Sequence, residues 1–126
     1  MKKTDRELIY NKYGGCCAYC GCILKKGWHV DELKPVRRNF TYDKNKGTFK
    51  ATGDYLHLER FNIENQMPSC PSCNINKHSM SLEEFRSLIT GFMKHLNEVN
   101  TQYKIAKRYG LIEETIKPIV FYFEKL

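Results

Sequence analysis

Two short cysteine motifs, Cys17-Ala18-Tyr19-Cys20 and Cys70-Pro71-Ser72-Cys73, decide how this chain folds. In each motif two residues separate the thiols, so a tight turn can bring both sulfurs to one metal ion. Two such pairs together supply the four soft ligands of a tetrahedral structural zinc site. The spacing therefore predicts one Zn²⁺ site that joins the two ends of a segment of about fifty residues.

The two remaining cysteines, Cys16 and Cys22, lie beside the first motif. Either of them is close enough in sequence to replace a neighbouring ligand. The spacing of Cys17 and Cys20, however, matches the spacing of the second motif. We therefore expect Cys16 and Cys22 to be spare thiols, because paired cysteines in a reducing cytosol hold metal more often than they form disulfides.

The length of the chain, 126 residues, indicates a single small domain spanning residues 1–126. Charged residues follow the first methionine where a signal peptide would need an apolar stretch. The longest apolar run, at residues 119–123, is too short to span a bilayer. The sequence therefore predicts a cytoplasmic protein with no membrane partner.

The chain is basic, with a formal net charge of +7, and the charge is concentrated in residues 34–50. This segment has six basic residues, one acidic residue and three aromatic residues: Lys34, Arg37, Arg38, Lys44, Lys46 and Lys50, then Asp43, then Phe40, Tyr42 and Phe49. Clustered cations gain affinity for phosphates by releasing counterions, so the segment favours a nucleic-acid contact. The alternative is a solvated hairpin whose aromatic rings pack inward.

Local signals place the other elements. Capping boxes that begin at Thr4 and Ser81 each predict a helix start. The first helix is expected to end at Gly14-Gly15, and the second carries an apolar stripe from residue 82 to 96. A strand is expected at residues 28–33, a hairpin or long loop after Pro35, a short helix at 102–109 and a tail strand at 119–123.

With these elements placed, the chain resembles the HNH endonucleases. The stretch Val30-Asp31-Glu32-Leu33-Lys34-Pro35 aligns with the apolar-Asp-His-apolar-x-Pro motif of that family. Asn65 lies five residues before Cys70, as the central asparagine of the family does, and Cys70-x-x-Cys73-Asn74-x-x-Lys77 matches the family's ending. Residues 16–78 carry this resemblance, while the extension at 79–126 is similar to that of small HNH proteins from bacteriophages and prophages.

The resemblance implies an α+β fold in which a structural zinc staples a ββα-metal core, with flanking helices and a C-terminal strand. It also implies a metal-dependent DNA endonuclease or nickase that hydrolyses a phosphodiester bond. Asp31 and Asn74 would hold a catalytic Mg²⁺ or Mn²⁺, since hard cations prefer oxygen ligands. Asn65 would orient the loop that carries the catalytic residues. The setting would be the cytoplasm of a bacterial host.

The chain departs from the family at Glu32, which stands where the family has its water-activating histidine. Imidazole, with a reference pKa near 6.5, is better matched to proton transfer at neutral pH than a glutamate near 4.3. Three interpretations follow: Glu32 is the base, a nearby histidine replaces it as the base, or the site binds DNA and metal without cleaving DNA efficiently. The replacement candidates are His29, which should share a strand face with Asp31, and His57.

The predicted phosphate contacts are Arg37, Arg38, Lys44, Lys46, Lys77 and His78. Such contacts imply DNA as the partner, with little sequence preference. The alternative function is a catalytically degenerate HNH module that binds nucleic acid or a protein partner, and the substitution at Glu32 supports it. A plain zinc ribbon would explain the cysteines but not the oxygen ligands at this spacing.

Overall fold

The computed structural model describes the backbone of all 126 residues and every side chain except that of Arg38. The fold is mixed α+β, with five α-helices and two separate two-stranded antiparallel sheets. The helices are α1 (Lys3–Asn11), α2 (Pro71–Lys77), α3 (Leu82–Thr90), α4 (Phe92–Val99) and α5 (Thr101–Arg108). The strands are β1 (His29–Glu32), β2 (Arg37–Asp43), β3 (Thr48–Leu56) and β4 (Gln66–Ser69). None of the described helices is long and apolar enough to cross a lipid bilayer.

The first sheet pairs β1 with β4 and leads directly into α2. Asp31 lies opposite Met67 in this antiparallel pair, and α2 begins two residues after β4 ends. Pro71 occupies the first turn of α2, where its missing N–H costs nothing. The Cys70 sulfur caps this helix by accepting from the backbone N–H of Cys73 at 3.4 Å. The sequence of two strands and a helix therefore places the second cysteine motif at the start of α2.

The second sheet is the β2–β3 hairpin formed by the basic segment. Its strands pair from Arg37 opposite Leu56 to Asp43 opposite Thr48, with one irregularity between Arg38 and Phe40. At the tip, the Asp43 carboxylate accepts backbone hydrogen bonds from the turn, and Gly47 supplies the positive φ of 63° that closes it. All nine residues of β3 are exposed, so the hairpin projects from the core.

The aromatic core packs around Tyr19. Its ring meets Phe85 and Phe121 edge to face, each at 5.7 Å between centroids, and those two rings stack on each other at 5.5 Å. The Arg86 guanidinium lies over Phe121 at 4.7 Å and forms an ion pair with Glu124 at 2.7 Å. The C-terminal segment is thus held against both the first cysteine motif and α3.

Two of the sequence predictions for the termini are wrong. Residues 119–121 form no strand, and Tyr122–Lys125 is a 3₁₀ helix. The reason is that Phe121 buries its ring beside Tyr19, while the backbone N–H groups of Tyr122 and Phe123 bond to the first cysteine motif instead of a strand. At the other end, α1 begins at Lys3, so Thr4 lies inside the first turn and does not cap it.

The other helical predictions are confirmed with one change. Ser81 forms the expected capping box with Glu84, and α5 lies where the short helix was expected. The helix predicted to run from 82 to 96 is instead two helices that meet at Gly91. Glycine has low helix propensity, which allows the chain to turn there and the second half of the apolar stripe to pack differently.

Replacing Phe121 with alanine should destabilise the protein by about 3–5 kcal/mol, because a fully buried ring leaves a cavity between Tyr19 and Phe85. Urea denaturation of the metal-loaded protein measures this change. The control is Ile116→Ala, at a highly exposed position, which should change the free energy of unfolding by less than about 0.5 kcal/mol. Equal effects of the two substitutions would contradict the core described here.

Candidate functional site

The four cysteines of the two motifs form one cluster. The sulfurs of Cys17, Cys20, Cys70 and Cys73 all lie within 4.8 Å of one another. Among the described residues, this is the one group of three or more histidine, cysteine or acidic side chains that could hold a metal ion. The four cysteines predicted as ligands are thus brought together, and four sulfur donors suit a closed structural site.

Backbone geometry explains how the first motif folds. The Cys17 N–H donates to the Cys22 carbonyl at 2.8 Å, and the Gly21 N–H donates to the Cys17 carbonyl at 3.0 Å. Gly21 has a φ of 78°, and a Cβ atom there would lie 2.8 Å from the Tyr122 ring. Glycine is therefore required both by the turn and by the C-terminal segment that packs on it. The Ala18 N–H donates to the Pro68 carbonyl at 2.8 Å and fixes the motif to β4.

The thiols of the cluster affect one another's ionisation. A hydrogen bond from Cys73 lowers the pKa of Cys17 to about 4, while the same bond and burial raise the pKa of Cys73. Cys22 lies at the edge of the cluster, and its pKa is raised to about 12 by desolvation and by its contacts with Cys20 and Cys70. Without a cation the negative charges of several thiolates would repel, so this donor set matches a metal ion.

Asp31, Lys77 and Tyr19 form a second cluster of polar side chains. The Asp31 side chain is only 6% exposed, and its Oδ2 lies 2.9 Å from the ammonium group of Lys77 and 2.5 Å from the hydroxyl of Tyr19. Lys77 is fully buried and also donates to the Glu32 carbonyl at 2.9 Å. Three elements are therefore joined at one point: the first cysteine motif, β1 and α2.

Burial and the nearby positive charge have opposite effects on the pKa of Asp31. Desolvation raises the pKa of Asp31, and the nearby Lys77 ammonium opposes that rise. Burial and the adjacent carboxylate raise the pKa of Tyr19, so its hydroxyl keeps the proton that it donates to Asp31. Asp31 Oδ1 has no hydrogen-bond partner among the described side chains. It is the carboxylate oxygen that remains available for a further ligand.

Glu32 follows Asp31 on β1, and Asn74 lies on α2, the helix that carries Lys77. Glu32 is half-buried, and burial together with the Asp31 charge raises the pKa of its carboxyl. It has no ion-pair partner among the described side chains. Asn74 lies between Cys73 and Lys77 on α2 and is also half-buried. The structure thus pairs Asp31 directly with Lys77, and it connects Glu32 to the helix of Asn74 through the Lys77 bond.

Asn65 fixes the loop that follows β1. Its side-chain oxygen accepts from the Lys34 N–H at 2.8 Å, and its amide donates to the carbonyls of Lys34 and Arg60, both at 2.9 Å. The Leu33 N–H donates to the Asn65 carbonyl at 2.8 Å. All polar groups of this buried side chain are satisfied, so the loop directly after Glu32 is rigidly held.

The three histidines singled out from the sequence are all exposed. His29 begins β1 opposite Ser69, while Asp31, two residues on, is buried. His57 has a left-handed backbone, with φ 61°, and its ring lies 3.2 Å from Glu59. His78 follows α2 and its ring lies 3.0 Å from the Ser79 hydroxyl. Among the described contacts, none joins these rings to Asp31 or Glu32.

The predicted phosphate contacts lie in different parts of the fold. Lys44 and Lys46 are exposed at the hairpin tip, and Arg37 is at its base, donating to the Ser79 carbonyl at 3.1 Å. The side chain of Arg38 lies outside the described part of the chain. Lys77 requires a correction, because a fully buried ammonium group held by Asp31 has no surface with which to contact a phosphate.

Sequence reasoning missed Tyr19 and the structural role of Lys77. A weak signal for Lys77 existed, because it lies four residues after the ligand Cys73 and therefore on the same face of α2. For Tyr19 the signal was its position inside the first cysteine motif, which the metal site forces toward the core. Neither spacing identifies Asp31 as the shared partner, since that contact depends on how β1 packs on α2.

Comparison of the chain with protein-family models, with curated proteins and with solved structures finds no match.

We expect each chain to bind one Zn²⁺ tightly, because the four thiols are already gathered. Replacing Cys17 or Cys73 with serine should remove this binding, and the matched substitution Cys16→Ser should leave it intact. Metal analysis of purified protein under reducing conditions gives the stoichiometry. Full zinc content in Cys17→Ser and loss in Cys16→Ser would show that the ligand register is wrong.

Replacing Lys77 with methionine should cost about 3–5 kcal/mol, because Asp31 would keep a buried charge without its cation. Adding Asp31→Asn should restore part of the loss. The control is Lys94→Met, whose exposed ion pair with Glu98 should contribute at most about 0.5 kcal/mol. Denaturation of wild type and these three variants forms the test, and a Lys77 effect no larger than the Lys94 effect would refute the buried ion pair.

Proposed function

We propose that this protein is a metal-dependent nuclease that hydrolyses phosphodiester bonds in DNA, built on a ββα unit that structural zinc holds together. The proposal is supported by the order of β1, β4 and α2 and by the residues that each carries. The observation that carries it is the bonding around Glu32. Asn65 fixes the loop after this residue, and Lys77 of α2 bonds to its carbonyl.

Zinc is the proposed ion of the cysteine cluster. Four thiolates favour Zn²⁺ over harder cations, and a site with four protein ligands leaves no position for substrate. Its role is to join the first cysteine motif to the start of α2. This connection keeps Tyr19, Asp31 and Lys77 in contact.

A hard divalent cation, Mg²⁺ or Mn²⁺, is proposed for the oxygen-bearing side chains nearby. The residues that would hold it are Asp31, through its unpartnered Oδ1, and Asn74, through its amide oxygen. The fit is partial, since Oδ2 of Asp31 is already bonded to Lys77 and Tyr19. When bound, such a cation stabilises negative charge on a phosphate.

Three side chains of the protein would have the other roles in the proposed reaction. Glu32, a carboxylate with no ion-pair partner among the described side chains, would accept a proton from the attacking water. Asn65 is a positioning residue, because it holds the loop after Glu32 and does not reach the reacting atoms. Lys77 is also a positioning residue. It orients Asp31 and fixes β1 on α2.

A second function, nucleic-acid binding without efficient cleavage, is favoured by one specific observation. The charge of Asp31 is already compensated by a buried ammonium group at 2.9 Å. A cation at Oδ1 would therefore bind beside an existing positive charge, which weakens its affinity. Together with glutamate at position 32, this arrangement is compatible with a fold retained for binding.

Supercoiled plasmid incubated with the zinc-loaded protein and Mg²⁺ or Mn²⁺ tests the proposal. Wild type should produce nicked or linear DNA. Glu32→Gln should slow cleavage at least about a hundredfold, the lower range for loss of a general base. Asn74→Ala should raise the concentration of Mg²⁺ or Mn²⁺ that cleavage requires. Glu113→Gln makes the same chemical change at an exposed position and should cut like wild type.

Glu32→His separates the two functions. If wild type is inert and Glu32→His cuts, the substrate and metal sites are present and the natural protein is a binding factor. If neither cuts while both carry full zinc, the nuclease proposal is wrong. If wild type and Glu32→Gln cut equally well, Glu32 is not the base.

A further inference from the structure

The β2–β3 hairpin presents a face of exposed aromatic rings. Phe40 pairs with Ala51, and Tyr42 pairs with Phe49. Directly opposed residues of an antiparallel pair share a face, and residues two apart along one strand do too. Phe40, Tyr42 and Phe49 therefore lie on the same side of the hairpin, which we call the aromatic face. Thr41 and Lys50 lie on the other side.

The rings of the aromatic face are not covered by the protein. Phe40 is 56% exposed, Tyr42 is 55% exposed and Phe49 is 73% exposed. Tyr42 and Phe49 contact each other edge to face at 5.4 Å, which fixes their orientation without burying them. The inward packing that the sequence left open is thus excluded. Three exposed aromatic rings on one face of a two-stranded ribbon are unusual for a surface without a ligand.

The charge of the hairpin indicates what covers these rings. From residue 37 to 56 the chain has five basic and two acidic residues. One of the acids, Asp43, is engaged with the backbone of the tip. Lys44 and Lys46 are exposed beside the aromatic face. The combination of cations and exposed rings is complementary to a polyanion whose units carry flat apolar faces, and this describes a nucleic acid.

The base of the hairpin is continuous with the candidate site. A surface cleft there is lined by Val36, Arg37, Phe40, His78 and Ser79. His78 directly follows α2, the helix of Asn74, and Arg37 donates to the Ser79 carbonyl at 3.1 Å. A strand of nucleic acid lying along the aromatic face would therefore reach the end of α2 through this cleft.

We propose that the aromatic face binds single-stranded DNA, with unpaired bases stacked on Phe40, Tyr42 and Phe49 and phosphates held by Lys44 and Lys46. The inference rests on the proposed nuclease function and specifies its substrate as DNA with an unpaired region. Inside a duplex the flat faces of the bases are covered by the neighbouring base pairs that stack on them, so exposed rings gain stacking contacts only with an unpaired, unstacked strand. Along β2, Phe40 and Tyr42 are about 7 Å apart, which leaves each ring accessible to a separate base.

The test is fluorescence anisotropy with a labelled single-stranded oligonucleotide and with the matching duplex, in the absence of added Mg²⁺ and Mn²⁺ so that cleavage does not interfere. Wild type should bind the single strand more tightly. Phe40→Ala, Tyr42→Ala and Phe49→Ala should each weaken that binding by about five- to 150-fold. Tyr42→Phe should retain it, because the ring remains.

The control for these variants is Tyr109→Ala, which removes an even more exposed aromatic ring that directly follows α5. Its affinity should equal that of wild type. Zinc content and melting temperature should be unchanged in all variants, because the rings are exposed. Lys44→Ala should reduce the salt dependence of binding, lowering the slope of log affinity against log salt by about 0.7.

Three outcomes would overturn the inference. One is equal affinity for single strand and duplex with no loss in the alanine variants, which would mean a purely electrostatic surface. Another is a loss in Tyr109→Ala as large as in Phe49→Ala. The third is binding of both oligonucleotides weaker than about 10⁻⁴ M, which would leave the face to a protein partner.

The nuclease and the aromatic face can fail separately. Ring-dependent binding of single-stranded DNA by a protein that never cuts DNA would reject the nuclease and keep the aromatic face. Cleavage by wild type and by all three alanine variants at equal rate and affinity would reject the aromatic face and keep the nuclease.

Discussion

The convergence of four cysteine sulfurs within 4.8 Å is the constraint on which the rest of the structure depends. Two ligands come from the turn after α1 and two from the start of α2, so a single ion would close a loop of about fifty residues. A chain of this size buries a limited core, and a metal offsets the entropy of closing such a loop. The turn also carries Tyr19 into the aromatic core, where Phe85 and Phe121 enclose it.

The cluster of Asp31, Lys77 and Tyr19 forms a buried polar site between the first cysteine motif, β1 and α2. A buried ion pair adds little net stability, because both charges lose their hydration, but it allows few alternative arrangements. Lys77 also donates a hydrogen bond to the Glu32 carbonyl, and this bond sets the position of β1 on α2. The same pairing removes Lys77 from the surface. In the proposed function, the exposed cations that contact the polyanion are therefore those of the hairpin, and the proposed chemistry lies at the Asp31 cluster.

Short-range signals in the sequence predicted much of the fold. Cysteine spacing predicted the cluster of four thiols, Ser81 and Glu84 predicted the start of α3, and strand composition predicted β1. For the basic segment the sequence left a hairpin or a long loop open, and the structure has the hairpin. The failures depend on contacts between distant residues. The apolar run at 119–123 has strand composition, yet its rings pack around Tyr19 and no strand lies beside it. From the sequence, Lys77 was predicted to be a cation at the surface. Its buried partner, Asp31, becomes visible only when α2 packs on β1. For the proposed catalytic residues the sequence supplies the identities and the structure supplies the bonds around them.

The most direct test of this account is a titration of the metal-free, reduced protein with Zn²⁺, followed by near-ultraviolet circular dichroism of its packed aromatic rings. The account predicts that the metal-free chain lacks the fixed signal of the core around Tyr19 and gains it in full at one equivalent of zinc, because binding and folding are coupled. A metal-free protein with the same aromatic signal and the same melting temperature as the zinc-loaded one would contradict the claim that the cysteine cluster holds this fold together.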